Sequence, residues 1–485
     1  MSRLQFPSFT AAKKLAKEGN LVPLVASMPA DLETPVGVYM KLARGAKASF
    51  LLESVEGGER SARYSFIGVN PRAVFTGSEE QYTYREDGRT QKMTGDPYTL
   101  IKSIVAHIRP VSTPELPPFA GGAVGVFGYD IVRRRERIPN RHSRDTNPPE
   151  VWLGWYDTIF AFDHVKHRLI VIANWYAEPP TRASYNRAVE AAMKAVFKLD
   201  RKLHSSDART KVGTLRSNFK AGEYARAVSK AKRYIAAGEI FQVVLSQRFK
   251  ATFEGDPFQV YRRLRRINPS PYLFYLNCGS FQVAGSSPET LVRVEGRTVT
   301  VCPIAGTRPR GADRAADLAL EKELLADPKE RAEHLMLVDL ARNDAGRVSQ
   351  YGKVRLPDFF TIERYSHVMH IVSRVEGQLK RSLHALDALA ACFPAGTVSG
   401  APKVRAMEII DELERSSRGL YAGAAGYLDY FGNLDTCIAI RTLIFANGYV
   451  QAQAGAGIVA DSVPKTEEQE TRSKASALLE ALGHE

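Results

Sequence analysis

In the first half of the chain, apolar and polar residues alternate as they do in β-strands. Apolar runs at 50–55 and 64–69 flank a polar, glycine-containing stretch at 56–59, which predicts a β-hairpin. Further strands are predicted at 121–129, 152–162 and 167–175. Antiparallel strands therefore dominate the predicted structure of this half.

A helix and a charged segment follow these strands. Apolar residues recur at helical spacing over 182–199, whereas residues 200–218 are charged and only weakly periodic. A segment of that kind is typical of a linker. The chain is therefore predicted to divide near residue 200 into a first part, 1–200, and a second part, 201–485.

The second half alternates between helical and strand-like patterns. Residues 223–237 predict a helix that ends at Gly238, since glycine commonly terminates helices. Further helices are predicted at 258–267, 317–326, 329–341, 383–392, 402–414 and 466–482. Further strands are predicted at 242–249, 272–277, 282–284, 290–295, 298–302, 424–429, 436–445 and 448–454. Hairpin-linked strands separated by long helices predict an α+β fold with antiparallel sheets.

Two predicted helices have distinctive starts. Pro402 is predicted in the first turn of its helix, where proline is well tolerated. Thr466 and Gln469 have the spacing of a capping box at the start of the last helix.

Two pairs of glutamates stand at the predicted starts of distant helices. Glu330 and Glu333 form one pair, and Glu467 and Glu470 form the other. Carboxylates three residues apart share one face of a helix, so two such faces could together enclose Mg²⁺. Solvated acidic first turns, which the helix dipole favours, would give the same spacing. The spacing alone leaves both interpretations open.

The chain is basic without resembling a nucleic-acid-binding protein. Its 485 residues carry a formal net charge of +14. The densest basic cluster, at 133–137 with Arg141 and Arg144 beyond it, has no interleaved aromatic residues for stacking on bases. We expect a solvated loop there and no nucleic-acid partner, although a small polyanionic substrate would also suit the charge.

The cysteines and apolar runs indicate the cellular setting. Four cysteines occur, without the CxxC spacing of metal or redox sites, so buried and reduced thiols are expected. Residues 1–20 lack the apolar core of a secretory signal, and no uncharged apolar run reaches membrane-spanning length. We therefore expect a cytoplasmic protein with no membrane partner.

Five motifs occur in a fixed order in the second half. They are Gly-Ser-Ser-Pro-Glu at 285–289, Pro-Ile-Ala-Gly-Thr-Arg at 303–308, Glu-His-Leu-Met-Leu-Val-Asp-Leu-Ala-Arg-Asn-Asp at 333–344, Tyr-Ser-His-Val-Met-His at 365–370 and Gly-Ala-Gly at 455–457. In this order they closely resemble the chorismate-utilising enzymes. A sixth segment, 396–403, superficially suggests a phosphate-binding loop, but it lacks the Gly-Lys-Ser/Thr ending of one.

The resemblance implies a fold, a reaction and a cofactor. The implied fold has two packed antiparallel β-sheets flanked by helices. In the implied reaction ammonia attacks C2 of chorismate, the C4 hydroxyl leaves, and pyruvate is eliminated. The implied cofactor is Mg²⁺, with Glu333 and Glu470 as direct ligands and Glu330 and Glu467 holding metal-bound waters.

The resemblance also implies roles for individual residues. Glu289 matches the general acid, which needs a raised pKa, and His370 matches the histidine of the elimination stage. Tyr421 and Arg441 match residues that hold the enolpyruvyl side of chorismate. The remaining implied substrate contacts are Gly306, Thr307, Gly455, Ala456, Gly457 and Lys474.

Two positions distinguish between members of the family. Gln242 matches the catalytic position where water-using relatives carry a lysine base, and a neutral amide cannot deprotonate water. Ala305 occupies the position where aminodeoxychorismate synthases typically carry a nucleophilic lysine. Both residues favour the anthranilate-forming members, with aminodeoxychorismate formation as the alternative.

A partner and an inhibitor are implied by the same resemblance. Because no cysteine lies in a Gly-x-Cys-x-Gly setting, ammonia is expected from a separate glutamine amidotransferase subunit, in a heterotetramer. L-Tryptophan is expected to inhibit, with residues 1–200 as the regulatory part and 201–485 as the catalytic part. The matching inhibitor positions are Glu53, Ser54, Pro271, Tyr272 and Leu273, the last replacing a frequent methionine.

Overall fold

The structure is a computed structural model that describes residues 4–54, 63–142, 148–203, 210–365 and 368–483. Its strands are β1 Leu21–Pro29, β2 Ser49–Glu53, β3 Tyr64–Val69, β4 Ala73–Ser78, β5 Gln81–Glu86, β6 Arg89–Thr94, β7 Gly122–Phe127, β8 Val151–Tyr156, β9 Thr158–Asp163, β10 Arg168–Tyr176, β11 Lys211–Val212, β12 Arg216–Ser217, β13 Gln242–Glu254, β14 Tyr272–Asn277, β15 Phe281–Ser287, β16 Thr290–Glu295, β17 Thr298–Val301, β18 Ile304–Pro309, β19 Ser349–Arg364, β20 Val368–Leu379, β21 Gly400–Ala401, β22 Ala424–Asp429, β23 Leu434–Ile438, β24 Thr442–Ala446 and β25 Tyr449–Ile458.

The α-helices are α1 Phe9–Leu15, α2 Pro35–Ala43, α3 Pro97–Val105, α4 Arg182–Val196, α5 Glu223–Ala236, α6 Pro257–Ile267, α7 Arg314–Ala326, α8 Pro328–Val348, α9 Ala385–Cys392, α10 Lys403–Leu413 and α11 Pro464–Ala481. Short 3₁₀ turns lie at Tyr129–Arg134, Phe197–Asp200 and Gly396–Val398.

Two antiparallel sheets organise the described chain. The first sheet has 13 strands along the order β1-β10-β9-β3-β2-β14-β15-β24-β25-β13-β11, with β12 and β21 also on β13. The second has 12 strands along the order β18-β20-β17-β16-β23-β22-β7-β8-β4-β5-β6, with β19 on β20. Each sheet takes strands from both sides of residue 200, so the two parts of the chain share both sheets.

The sheets pack face to face, and helices cover their outer faces. Phe50 and Phe281 of the first sheet and Val126 of the second lie in one fully buried cluster between the sheets. A second cluster joins the first sheet to α2, α4, α6 and α11, and a third joins the second sheet to α3 and α9. The predicted α+β fold with two packed antiparallel sheets is confirmed.

Several predicted elements are confirmed closely. β2 and β3 pair as the predicted hairpin, although its turn at 56–59 lies outside the described residues. α5 ends before Gly238, whose φ of 77° is the left-handed conformation expected after a helix. All four cysteines are free thiols, and three of them are buried. In the part of the chain that the structure covers, no helix is both long and apolar enough to cross a bilayer.

Two predicted strands are each divided between the sheets. The apolar run 152–162 breaks at Asp157 into β8 of the second sheet and β9 of the first. The run 436–445 breaks at 439–441 into β23 of the second sheet and β24 of the first. These predictions were wrong because a chain that crosses between two packed sheets stays apolar throughout, so its pattern does not mark the crossing.

Two predicted helix starts were wrong. α11 begins at Pro464 after Val463, two residues before Thr466, and no side chain caps it. Pro402 is the residue that precedes α10 rather than a member of its first turn. Proline at the first helical position of α11 supplies the start signal, since its fixed φ suits a helix and it lacks the N–H that would be unpaired there.

The region 349–379 and the linker region also differ from expectation. β19 and β20 form a long hairpin that the sequence did not predict, because β19 alternates half-buried and exposed residues with few strongly apolar ones. In the predicted linker, β11 and β12 pair with β13, while residues 204–209 lie outside the described chain. Arg144 of the basic cluster and residues 366–367 of the fourth motif are also outside it.

Candidate functional site

The site lies where two neighbouring segments cross between the sheets. Pro288 and Glu289 connect β15 of the first sheet to β16 of the second, and residues 439–441 connect β23 back to β24. Backbone hydrogen bonds join the crossings: Ile438 N–H donates to the Glu289 carbonyl at 3.0 Å, and Ser286 N–H donates to the Arg441 carbonyl at 3.1 Å. The fold therefore places Glu289 and Arg441 on neighbouring, hydrogen-bonded crossings.

Glu289 is a buried carboxyl group with a strongly raised pKa. Its residue surface is 9% exposed, and Thr397 Oγ1 donates a hydrogen bond to its Oε1 at 2.8 Å. Burial raises the pKa to about 8, and the hydrogen bond from Thr397 lowers it in part. A carboxyl group with this pKa is substantially protonated at neutral pH and can serve as an acid.

Arg441 is a cation that lacks an anionic partner. Burial lowers the pKa of its guanidinium, and no carboxylate among the described residues counteracts that effect; only Tyr421 raises it. Its backbone has a φ of 50°, an uncommon and strained value for a residue other than glycine. An enclosed, unpaired guanidinium is suited to bind a carboxylate through two parallel hydrogen bonds.

Tyr421 and the glycines of β25 form the next wall of the site. Burial raises the pKa of Tyr421 to about 12, so its phenol stays protonated at neutral pH. The charges of Arg418 and Arg441 lower this pKa in part, which places Tyr421 near Arg441. A Cβ on Gly455 would lie 2.7 Å from the Tyr421 hydroxyl. A Cβ on Gly457 would lie 2.7 Å from Gln242 Nε2. Any larger residue at either position would fill this space.

Gln242 and Ala456 occupy contrasting positions. Gln242 is 5% exposed, its Nε2 donates to Glu333 Oε1 at 3.3 Å, and its buried Oε1 has no partner among the described residues. Ala456 points the other way, into the apolar cluster between β13 and α5, and is 0% exposed. Only the backbone of Ala456 is therefore available to a ligand.

His370 lies on β20 beside the second motif, 303–308. Its Nδ1 is 2.9 Å from the Gly306 carbonyl and 3.1 Å from Thr307 Oγ1. Burial lowers the pKa of His370, the Gly306 carbonyl raises it, and the charge of Arg441 lowers it. Because a carbonyl only accepts hydrogen bonds, Nδ1 carries the proton in the neutral ring, which leaves Nε2 as the basic atom.

The glutamates of α8 lie next to β18 and β20. Asp327 caps the helix through the N–H groups of Lys329 and Glu330, and Arg308 forms ion pairs with Asp327 and Glu330 at 3.1 and 3.2 Å. Glu333 is half-buried one turn further along. Burial raises its pKa, the Gln242 side chain lowers it, and Glu330 raises it.

The glutamates of α11 face the same space from the other side. Burial raises the pKa of Glu467, and so does the neighbouring charge of Glu470. Lys474 Nζ pairs with Glu470 at 2.6 Å and donates to the Gly455 carbonyl at 3.3 Å. The charge of Lys474 also lowers the pKa of Glu333 and of Glu467, so both acidic pairs lie within its reach.

The two acidic pairs fit a water-rich magnesium site. Burial raises the pKa of Glu333 and of Glu467, and repulsion within each pair, from Glu330 and from Glu470, raises it further; a divalent cation would relieve that repulsion. Within the described ranges, no three carboxylate, imidazole or thiol groups come together closely enough to hold a metal alone. Mg²⁺ commonly takes one or two carboxylates and completes its shell with water and substrate, so two glutamates suffice.

The predicted inhibitor residues lie on two faces of one sheet. Glu53 on β2 is directly opposite Leu273 on β14, and both face the helix layer, where Tyr261 and Arg265 bond to the Glu53 carboxylate at 2.6 and 2.9 Å. Tyr272 faces the second sheet instead, where its hydroxyl donates to Asp435 at 2.9 Å. Side chains alternate along a strand, so a continuation of β2 by one residue would place Ser54 on the Tyr272 side. Pro271 precedes β14.

Two contributors were missed from the sequence. Thr397, which bonds to Glu289, lies in the segment 396–403 that we rejected as a phosphate loop. Arg308 was part of a recognised motif, yet its role in fixing the start of α8 was not predicted. The glycine-rich character of 396–403 was a usable signal, since glycines often mark close approach to a site.

Comparison with known proteins matches nearly the whole chain. The family described as chorismate binding enzyme matches residues 47–480. A protein named anthranilate synthase component 1 from Acetivibrio thermocellus is 46% identical over 487 residues, covering 98% of this chain and 98% of that protein. The protein of the same name from Pseudomonas aeruginosa is 47% identical over 483 residues, with 97% of each covered.

Solved structures give the same fold. Anthranilate synthase component I from Streptococcus pneumoniae TIGR4 superposes with a TM-score of 0.79 at 36% identity, covering 93% of this chain and 98% of that one. The menaquinone-specific isochorismate synthase from Escherichia coli superposes with a TM-score of 0.72 at 19% identity, covering 98% of this chain and 100% of that one, and shows the fold alone.

This chain belongs to the family of chorismate-binding enzymes. The relatives at 46% and 47% identity both carry the name anthranilate synthase component 1.

The raised pKa of Glu289 can be measured directly. Infrared difference spectra between the native chain and Glu289→Gln should contain a protonated-carboxyl band that disappears as pH rises through about 8. Burial disfavours the carboxylate and so delays its ionisation. A band already lost at pH 6 would contradict the buried-acid description, and Glu408→Gln, on an exposed ion pair with Arg405, serves as a control without such a band.

Proposed function

We propose that this chain is the large subunit of anthranilate synthase, which converts chorismate and ammonia to anthranilate and pyruvate in the first committed step of tryptophan biosynthesis. The observation that carries the proposal is the backbone contact between the crossing that carries Arg441, whose guanidinium has no carboxylate partner among the described residues, and the crossing that carries the buried acid Glu289. Near full-length identity of 44–47% to proteins named anthranilate synthase component 1 supports it.

Substrate binding follows from the charges of the site. Chorismate carries two carboxylates, and Arg441 with Tyr421 binds the one on the enolpyruvyl side chain. Gly455 and Gly457 leave room for the substrate against β25. The backbone of Gly306, whose φ of 65° favours glycine, and the hydroxyl of Thr307 complete the contacts on the β18 side.

Glu289 acts as the acid in the first stage. Hydroxide is a poor leaving group, so loss of the C4 hydroxyl requires a proton, which Glu289 donates while ammonia bonds to C2. Its raised pKa keeps the donor protonated near neutral pH. The pKa of about 8 also makes its proton easier to transfer than that of an alcohol or a lysine.

His370 serves the second stage. In the neutral imidazole, Nδ1–H donates to the Gly306 carbonyl, so Nε2 presents its lone pair. We assign to it the acceptance of the C2 proton during elimination of pyruvate. The lowered pKa favours the neutral form that this role requires.

Glu333 and Glu470 are the carboxylates that would hold Mg²⁺, and Glu330 and Glu467 would bind its water ligands. When bound, the ion stabilises the negative charge of the ring carboxylate. Lys474, paired with Glu470, adds a positive charge on the same side. Support for the fit comes from the two acidic pairs, in each of which one glutamate raises the pKa of the other, and from Lys474, whose charge acts on both pairs.

Ammonia as the nucleophile agrees with Gln242. Its amide cannot act as a base, and burial beside Glu333 keeps bulk water away from it. Ala305 offers no nucleophile, which weighs against the alternative product, aminodeoxychorismate. Ammonia would come from a glutamine amidotransferase subunit, as the name component 1 suggests for the relatives; two copies of each subunit would form a heterotetramer.

L-Tryptophan is the proposed inhibitor, bound next to β2 and β14. The pairing of Glu53 with Leu273 supports this proposal, because it joins the two distant segments that the resemblance implicates. Ser54 and Tyr272, on the side facing the second sheet, would contact the ligand between the sheets. A ligand there could alter the packing of β14, which hydrogen-bonds to β15, the strand that leads to Glu289.

The activity can be tested by incubation with chorismate, Mg²⁺ and ammonium at alkaline pH. Anthranilate fluorescence should appear together with pyruvate in equal amounts, and glutamine should not replace ammonium in the absence of a partner subunit. Accumulation of aminodeoxychorismate, identified by mass, would replace the proposed product with the alternative. No consumption of chorismate would refute both.

The metal assignment can be tested with Glu470→Gln. Loss of a direct carboxylate ligand should raise the Mg²⁺ concentration needed for half-maximal turnover by about 100-fold or more. Even changes to groups that only support a ligand cost about 10- to 100-fold in metal affinity. Calorimetric titration with Mg²⁺ provides a second readout. Glu468→Gln is the matched control, because Glu468 pairs with Arg472 on the same helix; equal behaviour of the two variants would rule out the assignment.

The inhibitor site can be tested with Ser54→Phe. A phenyl ring on this side of β2 should occupy the proposed tryptophan space, so the inhibitory concentration should rise by about tenfold or more, equivalent to 1.4 kcal/mol of binding. Turnover without tryptophan should stay near normal. Leu273→Met, a volume-conserving change, is the control that should keep inhibition. Unchanged inhibition in Ser54→Phe would count against this location.

A further inference from the structure

The segment 396–403 is held rigidly next to the proposed acid. Its Val398 carbonyl accepts a hydrogen bond from Arg418 at 2.6 Å, and Ser399 Oγ donates to the Ala395 carbonyl at 2.7 Å. Lys403 closes the segment through an ion pair with Asp344 of α8 at 2.6 Å. These contacts hold the segment in a defined conformation.

Thr397 is the residue that connects this segment to Glu289. Its Oγ1 donates to Glu289 Oε1 at 2.8 Å. Among the described residues, no other side chain hydrogen-bonds to the Glu289 carboxyl group. The preceding Gly396 packs directly on α8, since a Cβ there would lie 2.7 Å from Leu340 Cδ1. Thr397 is thus fixed between the acid and the helix that carries Glu333.

We propose that Thr397 is a positioning residue for the acid step: it directs the acidic proton of Glu289 to Oε2 and stabilises the carboxylate that forms when this proton leaves. The inference rests on the proposed function of the chain. The hydroxyl donates to Oε1, so Oε1 is the carbonyl-type oxygen of the protonated group and Oε2 carries the hydrogen.

The chemistry of the step is balanced. Nitrogen of ammonia bonds to C2, the ring double bonds shift from C1=C2 to C1=C6 and from C5=C6 to C4=C5, and the C4–O bond breaks with its electron pair on oxygen. The proton on Glu289 Oε2 transfers to that oxygen, and water leaves. The new ammonium group releases a proton to solvent, and Glu289 takes one back from solvent, while the Thr397 hydroxyl keeps its own hydrogen throughout.

The hydrogen bond should act most strongly in the transition state. A bond to an ionised carboxylate is roughly twice as strong as one to a neutral group, so it strengthens as the proton departs. An interaction that strengthens in this way lowers the barrier rather than only tightening binding. The second stage, in which Glu289 donates no proton, should not depend on it.

Thr397→Val removes the donor while keeping the shape of the side chain. Amination of chorismate should slow by about 10- to 100-fold, the range for a hydrogen bond to a charged group. Elimination of pyruvate from the separately supplied aminated intermediate should be unchanged. Thr397→Ser, which restores the donor, should recover most of the amination rate. Ser399→Ala, which loses a bond of the same segment away from Glu289, should affect both stages equally through stability alone.

The pH response distinguishes positioning from a structural role. Thr397 lowers the pKa of Glu289, so in Thr397→Val the fall in amination rate at alkaline pH should move to higher pH. The infrared carboxyl band of Glu289 should also persist to higher pH in this variant, and this readout needs no turnover. Equal losses in both stages, no rescue by serine, or an unmoved carboxyl titration would each overturn the inference. Failure of the native chain to aminate chorismate would instead refute the proposed function, leaving the infrared result to decide the role of Thr397.

Discussion

The site depends on two chain crossings that run side by side between the packed sheets. The β15–β16 and β23–β24 connections exchange backbone hydrogen bonds, with the Ile438 amide on the Glu289 carbonyl and the Ser286 amide on the Arg441 carbonyl. Because each connection is only two or three residues long, the backbones at Glu289 and Arg441 are held on neighbouring crossings. Backbone geometry thereby places a buried acid and a half-buried cation on adjacent connections.

A third crossing between the sheets carries an acidic residue that has several partners. Asp157, between β8 and β9, is half-buried, and Arg72 pairs with its carboxylate while Tyr176 and Tyr430 donate hydrogen bonds to it, at 2.7 to 3.1 Å. Glu289 has Thr397 alone among the described side chains, and Arg441 has no carboxylate partner there. Polar groups that are withdrawn from water with few partners are costly, so a site that keeps them is suited to a ligand that supplies the missing partners.

The sequence predicted the fold class more accurately than the points at which elements begin, end and cross between the sheets. Helix ends marked by Gly238 were predictable because the signal is local. The crossings at Asp157 and at 439–441 were not, because the apolar pattern is the same on either side of them. The split of Leu273 and Tyr272 onto opposite faces follows from strand alternation and was available from the sequence. Thr397 was hidden because a hydrogen bond between residues 108 positions apart leaves no local pattern.

The central claim is that one substrate meets Arg441 and Glu289 together. The most direct measurement is a crystal structure of the Glu289→Gln variant with chorismate and Mg²⁺, since that variant should bind the substrate without turning it over. The account predicts the enolpyruvyl carboxylate on the Arg441 guanidinium and the C4 hydroxyl within hydrogen-bond distance of the residue 289 side chain. Chorismate bound with its carboxylates away from Arg441, or with its C4 hydroxyl away from position 289, would contradict it.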